Sequence, residues 1–283
     1  MISIDSIEQL RQHLWQAKLE HKVIAFVPTM GNLHEGHLQL IDRALEEADL
    51  VVSSIFVNPL QFGPGEDFNG YPRTFMADQE KLMSRGCQVL FAPSVEEMYP
   101  DTKISSTIVK VPHLNHLHCG ISRPGHFTGV ATVVCKLFGI VQPDVAIFGL
   151  KDYQQFLVIQ QMTSDLCLPV KIIGAPIARA ESGLALSSRN GYLSSDELQQ
   201  AAQLQATLVQ TRLALEAGEQ DMLALEEQAQ CDLEAAGFKR DYFKICRQKD
   251  LQPAGPEDKQ LAIVAAAYLG KARLIDNIRL SLA

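Results

Sequence analysis

The chain has no apolar run of membrane-spanning length. Residues 1–11 mix apolar and charged side chains, without the continuous apolar stretch or cleavage site of a signal peptide. It also has no C-x-x-C pair. Its six cysteines (Cys87, Cys119, Cys135, Cys167, Cys231 and Cys246) are scattered, which predicts reduced, mostly structural thiols and a cytoplasmic protein. Basic residues are not in surplus. A net charge of -8 argues against a nucleic-acid surface, which needs clustered Lys and Arg, so any anionic ligand must be met locally. No internal repeat or low-complexity tract is evident. What is present, 283 residues with 47% hydrophobic and 20% charged, suits a soluble globular chain of one large or two modest domains.

The stretch Met30, Gly31, Asn32, Leu33, His34, Glu35, Gly36, His37 organises the rest. Before it, residues 22–27 read as a short strand; after it, Leu38, Ile41, Leu45 and Ala48 recur at helical spacing. The stretch is therefore a βα junction. Gly31 and Gly36 permit close backbone approach on either side of two imidazoles at a helix mouth, where free N–H groups attract anions. Two other readings stand beside this phosphate site: a zinc pair, for which the spacing and the missing third ligand are wrong, and two solvated turn histidines.

Further along, 6–20 carries Ile7, Leu10, Leu14 and Ala17 on one helical face, capped by Asp5 or Ser6. The run 50–57 is a strand buried on both faces, which is how parallel strands read, and strand–helix–strand implies a right-handed βαβ unit. At its end lies the breaker-rich loop 58–64. A helix over 78–84 ending at Gly86 and a strand over 87–92 follow, with 105–111 a possible extra strand. His113, His116, His118 and Cys119 lie within seven residues, but their spacing matches no standard metal site. Residues 130–141 form a buried helix, 144–148 a strand, and 153–165 a helix that Asp152 can cap. In Gly149, Leu150, Lys151, Asp152 the opening logic repeats, with a lysine within reach of a phosphate. Residues 170–175 complete a doubly wound parallel sheet. Leu186, Ser187, Ser188 and Arg189 form a compact oxyanion clamp. From the capping box Ser194 to Glu197 onward, two long helices and strands at 241–246, 261–269 and 273–275 predict a smaller α+β unit. The expected division is 1–176, carrying the anion-suited loops, and 177–283, closing over the site.

Three anion-suited loops (30–37, 149–152 and 186–189) at one sheet edge suggest a triphosphate. PTMGNLHEGH, SIFVNPLQFGPGEDFNGYPRT, RPGHFTGVATVV, FGLKDYQQ and LSSRN, with LIDN near the end, resemble in order and spacing the pantothenate synthetases, or pantoate–β-alanine ligases, over essentially the whole chain. The resemblance implies the HxGH nucleotidyltransferase Rossmann-like fold, ATP with Mg2+, and a homodimer with no membrane or nucleic-acid partner. It implies formation of pantothenate from pantoate and β-alanine through a pantoyl adenylate, with release of AMP and pyrophosphate.

Carried over by motif, residues 30–37 line the adenylate and phosphate site, with His34 and His37 on phosphates and His37 catalytic. Gln61 and Gln155 bind pantoate from opposite sides. Gly149 to Asp152 and Leu186 to Arg189 hold ATP, and Ala178 falls at the adenine. Lys151, Ser187, Ser188 and Arg189 join the histidines in stabilising charge in the transition state. Two positions depart from the family pattern: Leu150, where many members have Glu, and Leu186, where many have Met. Val130, Val133 and Val134 are candidates for the apolar wall around pantoate's methyls. Asp78, through water, is considered for Mg2+ but not chosen, so no side chain is assigned to the metal. Another nucleotidyltransferase, a metal hydrolase built on His34 and His37, and a non-catalytic ATP-binding protein remain open on sequence grounds.

Overall fold

The computed structural model describes residues 1–100 and 107–282. Its first unit runs β1 (Ile2–Ile4), α1 (Ile7–Leu19), β2 (Ile24–Thr29), α2 (Glu35–Glu47), β3 (Leu50–Ile55), α3 (Phe75–Ser84) and β4 (Val89–Phe91). Short helices α4 (Val95–Met98), α5 (Pro112–Asn115) and α6 (Cys119–Ser122) lead to α7 (His126–Val141), β5 (Val145–Gly149), α8 (Tyr153–Asp165) and β6 (Lys171–Ala175). The remainder holds α9 (Ser195–Ala201), α10 (Gln203–Glu216), α11 (Met222–Ala235), β7 (Lys239–Arg247), β8 (Gln260–Leu269) and β9 (Ala272–Ser281).

All six strands of the first sheet run parallel, in the order β1-β4-β3-β2-β5-β6. Parallel strands are covered on both faces, and β2 and β3 are buried along almost their whole length, as their apolar runs require. From β2 the chain steps outward to β3 and then β4, whereas β5 and β6 lie on the other side. The order therefore reverses between β2 and β5. Loops leaving the carboxyl ends of those two strands diverge, and that crevice is where open α/β sheets bind ligands.

The second sheet is antiparallel, β7-β8-β9. Alternation assigns its two faces. Phe243, Ile245, Leu261 and Ile263 pack with Leu204, Leu208 and Leu233 of the C-terminal helices, while Cys246, Ala262 and Val264 join the core containing α7 and α8. This is the expected class, a doubly wound α/β unit with a smaller α+β unit.

Several local expectations change. Strand β1 was not anticipated, because Ser3 interrupts an apolar pattern only three residues long. Ser6 stands at the N-terminus of α1 without a side-chain capping bond; the Glu97 carboxylate accepts from Ile7 N–H at 2.7 Å instead. The suggested strand at 105–111 begins outside the described residues, and 107–111 forms none. The two long C-terminal helices are three, since the chain breaks at Ala202 between α9 and α10. Strand β9 runs through ten residues rather than three. Asp276 and Asn277 look like strand breakers but are buried with partners, Arg179 for the first and backbone carbonyls for the second.

Candidate active site

The turn between β2 and α2 follows from a few constraints. Gly31 has φ +82°, a left-handed conformation that disfavours any Cβ, and a Cβ there would stand 3.1 Å from an Asp78 oxygen. Asp78, fully buried on α3, accepts from Asn32 N–H and Leu33 N–H at 2.8 Å each, and from the Thr74 hydroxyl at 3.0 Å. Lys81, one turn further, donates to the Leu33 carbonyl at 2.6 Å. Helix α3 therefore grips this loop. Both Asp78 oxygens are engaged in holding this loop.

The two histidines cap their own helix. Gly36 N–H donates to His34 Nδ1 at 3.2 Å, and His34 N–H donates to His37 Nδ1 at 3.3 Å. Each Nδ1 is therefore an acceptor, which leaves the proton of each neutral ring on Nε2. Burial lowers His34 to about 4 and His37 to about 3, with the Lys151 charge adding to both shifts and the His34 ring to that of His37. Gly36 is required between them, since a Cβ there would lie 3.0 Å from the His34 ring. The result is two neutral N–H donors at a helix N-terminus.

The other loops converge on them. Ser188 Oγ donates to the Asn32 carbonyl at 3.0 Å, joining the 186–189 segment to the first loop. Ser187 Oγ accepts from Arg189 N–H at 3.2 Å, and the Arg189 guanidinium makes a long 3.4 Å contact with Asp67. Asp152, placed at the start of α8, makes no side-chain capping bond and stands exposed in the cleft. Lys151 has its backbone fixed from the far unit: Asn277 Nδ2 donates to the carbonyls of Leu150 and Lys151 at 2.9 and 3.0 Å.

These loops surround a cavity of about 220 Å³. Met30, His34, Gly36, His37, Gln61, Gly149, Lys151, Asp152, Gln155, Ala178, Leu186, Ser187, Ser188 and Arg189 line it, together with Val130, Val133 and Val134. It adjoins a larger cavity of about 830 Å³ between the two sheets, sharing Lys151, Asp152, Gln155, Ser187 and Arg189. His34, His37, Gln61 and Ser188 line only the smaller one, so we place the chemistry there and regard the larger as its mouth. The remaining sequence candidates lie behind the wall. Gly31 and Asn32 shape the turn, and the Leu33 and Leu150 side chains are core. Glu35 pairs with Arg85 on the surface.

A family model for pantoate-beta-alanine ligase matches residues 2–279. The chain belongs to that family. It is an ATP-utilising ligase of pantothenate biosynthesis. Pantothenate synthetase of Pseudomonas entomophila is 54% identical over 282 residues, covering 100% of this chain and 98% of that protein. The crystal structure of the pantothenate synthetase of Thermus thermophilus superposes with a TM-score of 0.91 at 44% identity, covering 98% of this chain and 99% of that one. The ligase of Francisella tularensis, solved as a complex with beta-gamma ATP and beta-alanine, gives 0.82 at 38% identity over 98% and 97%.

In this ligase, sequence reasoning missed several residues that hold the site. Lys81 and Asp78, the latter named above only as a magnesium candidate, fix the histidine loop, and Asn277 fixes the lysine loop. Asn58, Arg123 and His126 bond to Gln61, and Tyr99 bonds to Asn58. Asn277 lies in the LIDN motif and Asn58 in VNPLQF, so a signal existed; Tyr99 carried none. The histidine and cysteine group at 113–119 has other duties. His118 Nε2 meets the Leu251 carbonyl at 2.9 Å, and Cys119 Sγ meets the Tyr242 hydroxyl at 2.9 Å. Among the described residues no three His, Cys, Asp or Glu side chains gather as a metal site.

Proposed function

We propose that the enzyme condenses pantoate with β-alanine through a pantoyl adenylate. The observation that carries this is one cavity lined by two neutral histidine donors with Lys151 and Arg189, and by two glutamines with three valines. The first set suits phosphoryl oxygens. The second suits a small branched hydroxy acid: the valines meet its methyls, while neutral amides orient its carboxylate without the tight ion pair that would blunt its nucleophilicity.

In the first step a pantoate carboxylate oxygen attacks the α-phosphorus of ATP, forming the acyl–O–P bond as the bond to pyrophosphate breaks. Negative charge grows on phosphoryl oxygens facing His34, His37, Lys151, Ser187 and Arg189, while Ser188, its hydroxyl donated to the Asn32 carbonyl, holds the two loops together. Fixed donors of this kind act by positioning and electrostatics, and loss of one commonly costs ~3 kcal/mol, about a hundredfold in rate. In the second step the neutral β-alanine amine attacks the acyl carbon, AMP departs with the C–O electron pair, and water or phosphate takes the amine proton. Ala178 and Leu186 border the adenine end.

The reading includes Mg2+ carried by the triphosphate. Asp152 is an exposed carboxylate beside the lysine that could meet the cation, and with no cluster of acids among the described residues, phosphate oxygens and water would supply the other ligands. The bound cation would neutralise the departing pyrophosphate. We also infer a functional division at 176/177, with the second unit closing over the cleft, and a cytoplasmic homodimer. Sedimentation at twice the 31.3 kDa chain mass checks the last.

Pyrophosphate release from MgATP tests the reaction directly. Release should require pantoate, and pantothenate should form only when β-alanine is added. Pantoate-independent release, or none from folded protein, would overturn the pantoyl-adenylate route.

A further inference from the structure

Gln61 is held at both ends by groups that do not line the smaller cavity. At the side-chain end, Asn58 is fully buried, and two backbone groups fix its orientation: Nδ2 donates to the Gly129 carbonyl at 3.1 Å, and Oδ1 accepts from Leu60 N–H at 3.3 Å. A carbonyl only accepts and an N–H only donates, so the Asn58 amide has one possible orientation. The Tyr99 hydroxyl donates a second bond to Oδ1 at 3.0 Å. Burial pushes the Tyr99 phenol up to about 12, so it stays protonated. With Asn58 fixed, its Nδ2 also donates to Gln61 Oε1 at 3.0 Å. The Gln61 oxygen is thereby occupied, and its NH2 group is left as a donor for the cavity.

The backbone end is held separately. The Gln61 carbonyl receives His126 Nδ1–H at 2.7 Å and Arg123 Nη2–H at 3.4 Å. Donation from Nδ1 makes His126 Nε2 an acceptor, and Arg123 Nη1 donates to it at 3.0 Å. Glu66 grips the same guanidinium with both oxygens, at 2.8 and 2.5 Å. The 62–72 loop, the amino end of α7 and the Gln61 turn are therefore tied together.

We infer that Tyr99 and the Arg123–His126 pair are positioning residues for pantoate, acting through Gln61. The backbone, by way of Asn58, sets which end of the amide faces the substrate, and Tyr99 holds Asn58 in that place; His126 and Arg123 set where the residue stands. The inference rests on the proposal that Gln61 donates to pantoate.

Steady-state kinetics of four variants test it, with the Michaelis constants of pantoate and ATP measured separately. Tyr99→Phe removes one hydrogen bond donor, and should raise KM for pantoate roughly five- to tenfold, the effect of one neutral hydrogen bond, with KM for ATP unchanged. His126→Ala should do the same or more. His126→Asn, whose amide nitrogen can take the place of Nδ1, should recover most of the loss. Gln61→Ala is the control. If Gln61→Ala raises KM for pantoate while Tyr99→Phe and His126→Ala do not, the positioning role is wrong and the role of Gln61 stands. If Gln61→Ala leaves it unchanged, the proposal for Gln61 falls and the inference with it. Equal rises for both substrates, or no recovery in His126→Asn, would show a merely structural role and also overturn it.

Discussion

His34 and His37 each use one ring nitrogen to satisfy a backbone N–H, and that local duty settles their chemistry. With pKa values of about 4 and about 3 they are neutral hydrogen-bond donors at physiological pH, not cations and not general bases. Both folded values lie below the unfolded value near 6.5, so as pH falls the unfolded chain takes up protons first. Their contribution to stability is complete above about pH 6.5 and is lost progressively toward pH 4 and 3. In the free protein, the ring-proton NMR shifts of both residues should therefore stay constant from pH 8 to 5; a midpoint near 6.5 would contradict this arrangement. Removing the His37 donor, as in His37→Ala, should slow adenylation about a hundredfold in single-turnover assays. The residue types of this site were readable from the Gly-bracketed pair itself. Their protonation was not, because it depends on Lys151 and on burial contributed by distant segments.

At the scale of elements, the site depends on close backbone approach. Gly129 lies in α7 where the 58–61 turn rests directly on the helix, and a Cβ there would fall 2.0 Å from the Leu60 carbonyl oxygen. Gly129→Ala must displace the turn that carries Gln61. It should cost about 1–3 kcal/mol of stability, seen as a lowered denaturation midpoint, and should raise KM for pantoate more than KM for ATP. A neutral outcome would mean that the turn slides freely. Periodicity disclosed these elements unevenly. Strands β2 and β3 and helix α8 were legible because apolar pattern and length agree there. Strand β9 was legible only over 273–275, since Asp276 and Asn277 are buried polar residues whose partners lie about a hundred residues or more away in sequence. Helix α1 was legible but its cap was not, because Glu97 comes from α4.

At the scale of the whole molecule, the second unit reaches back into the first. Asn277 on β9 holds the carbonyls of Leu150 and Lys151, and Arg179 pairs with Asp276 through both carboxylate oxygens at 2.6 and 2.9 Å. Losing two buried bonds to carbonyls costs on the order of 1–3 kcal/mol. Asn277→Ala should therefore raise KM for ATP roughly tenfold or more while leaving KM for pantoate nearer its original value; equal effects would deny the link between β9 and the phosphate loop. The central claim is that the pantoate carboxylate attacks the α-phosphorus of ATP within this cleft. Pantoate carrying 18O in its carboxylate tests that claim most directly, with the products of one turnover analysed by mass spectrometry. Transfer of one 18O atom to AMP is the predicted result, whereas label in pyrophosphate or inorganic phosphate, with none in AMP, would contradict it.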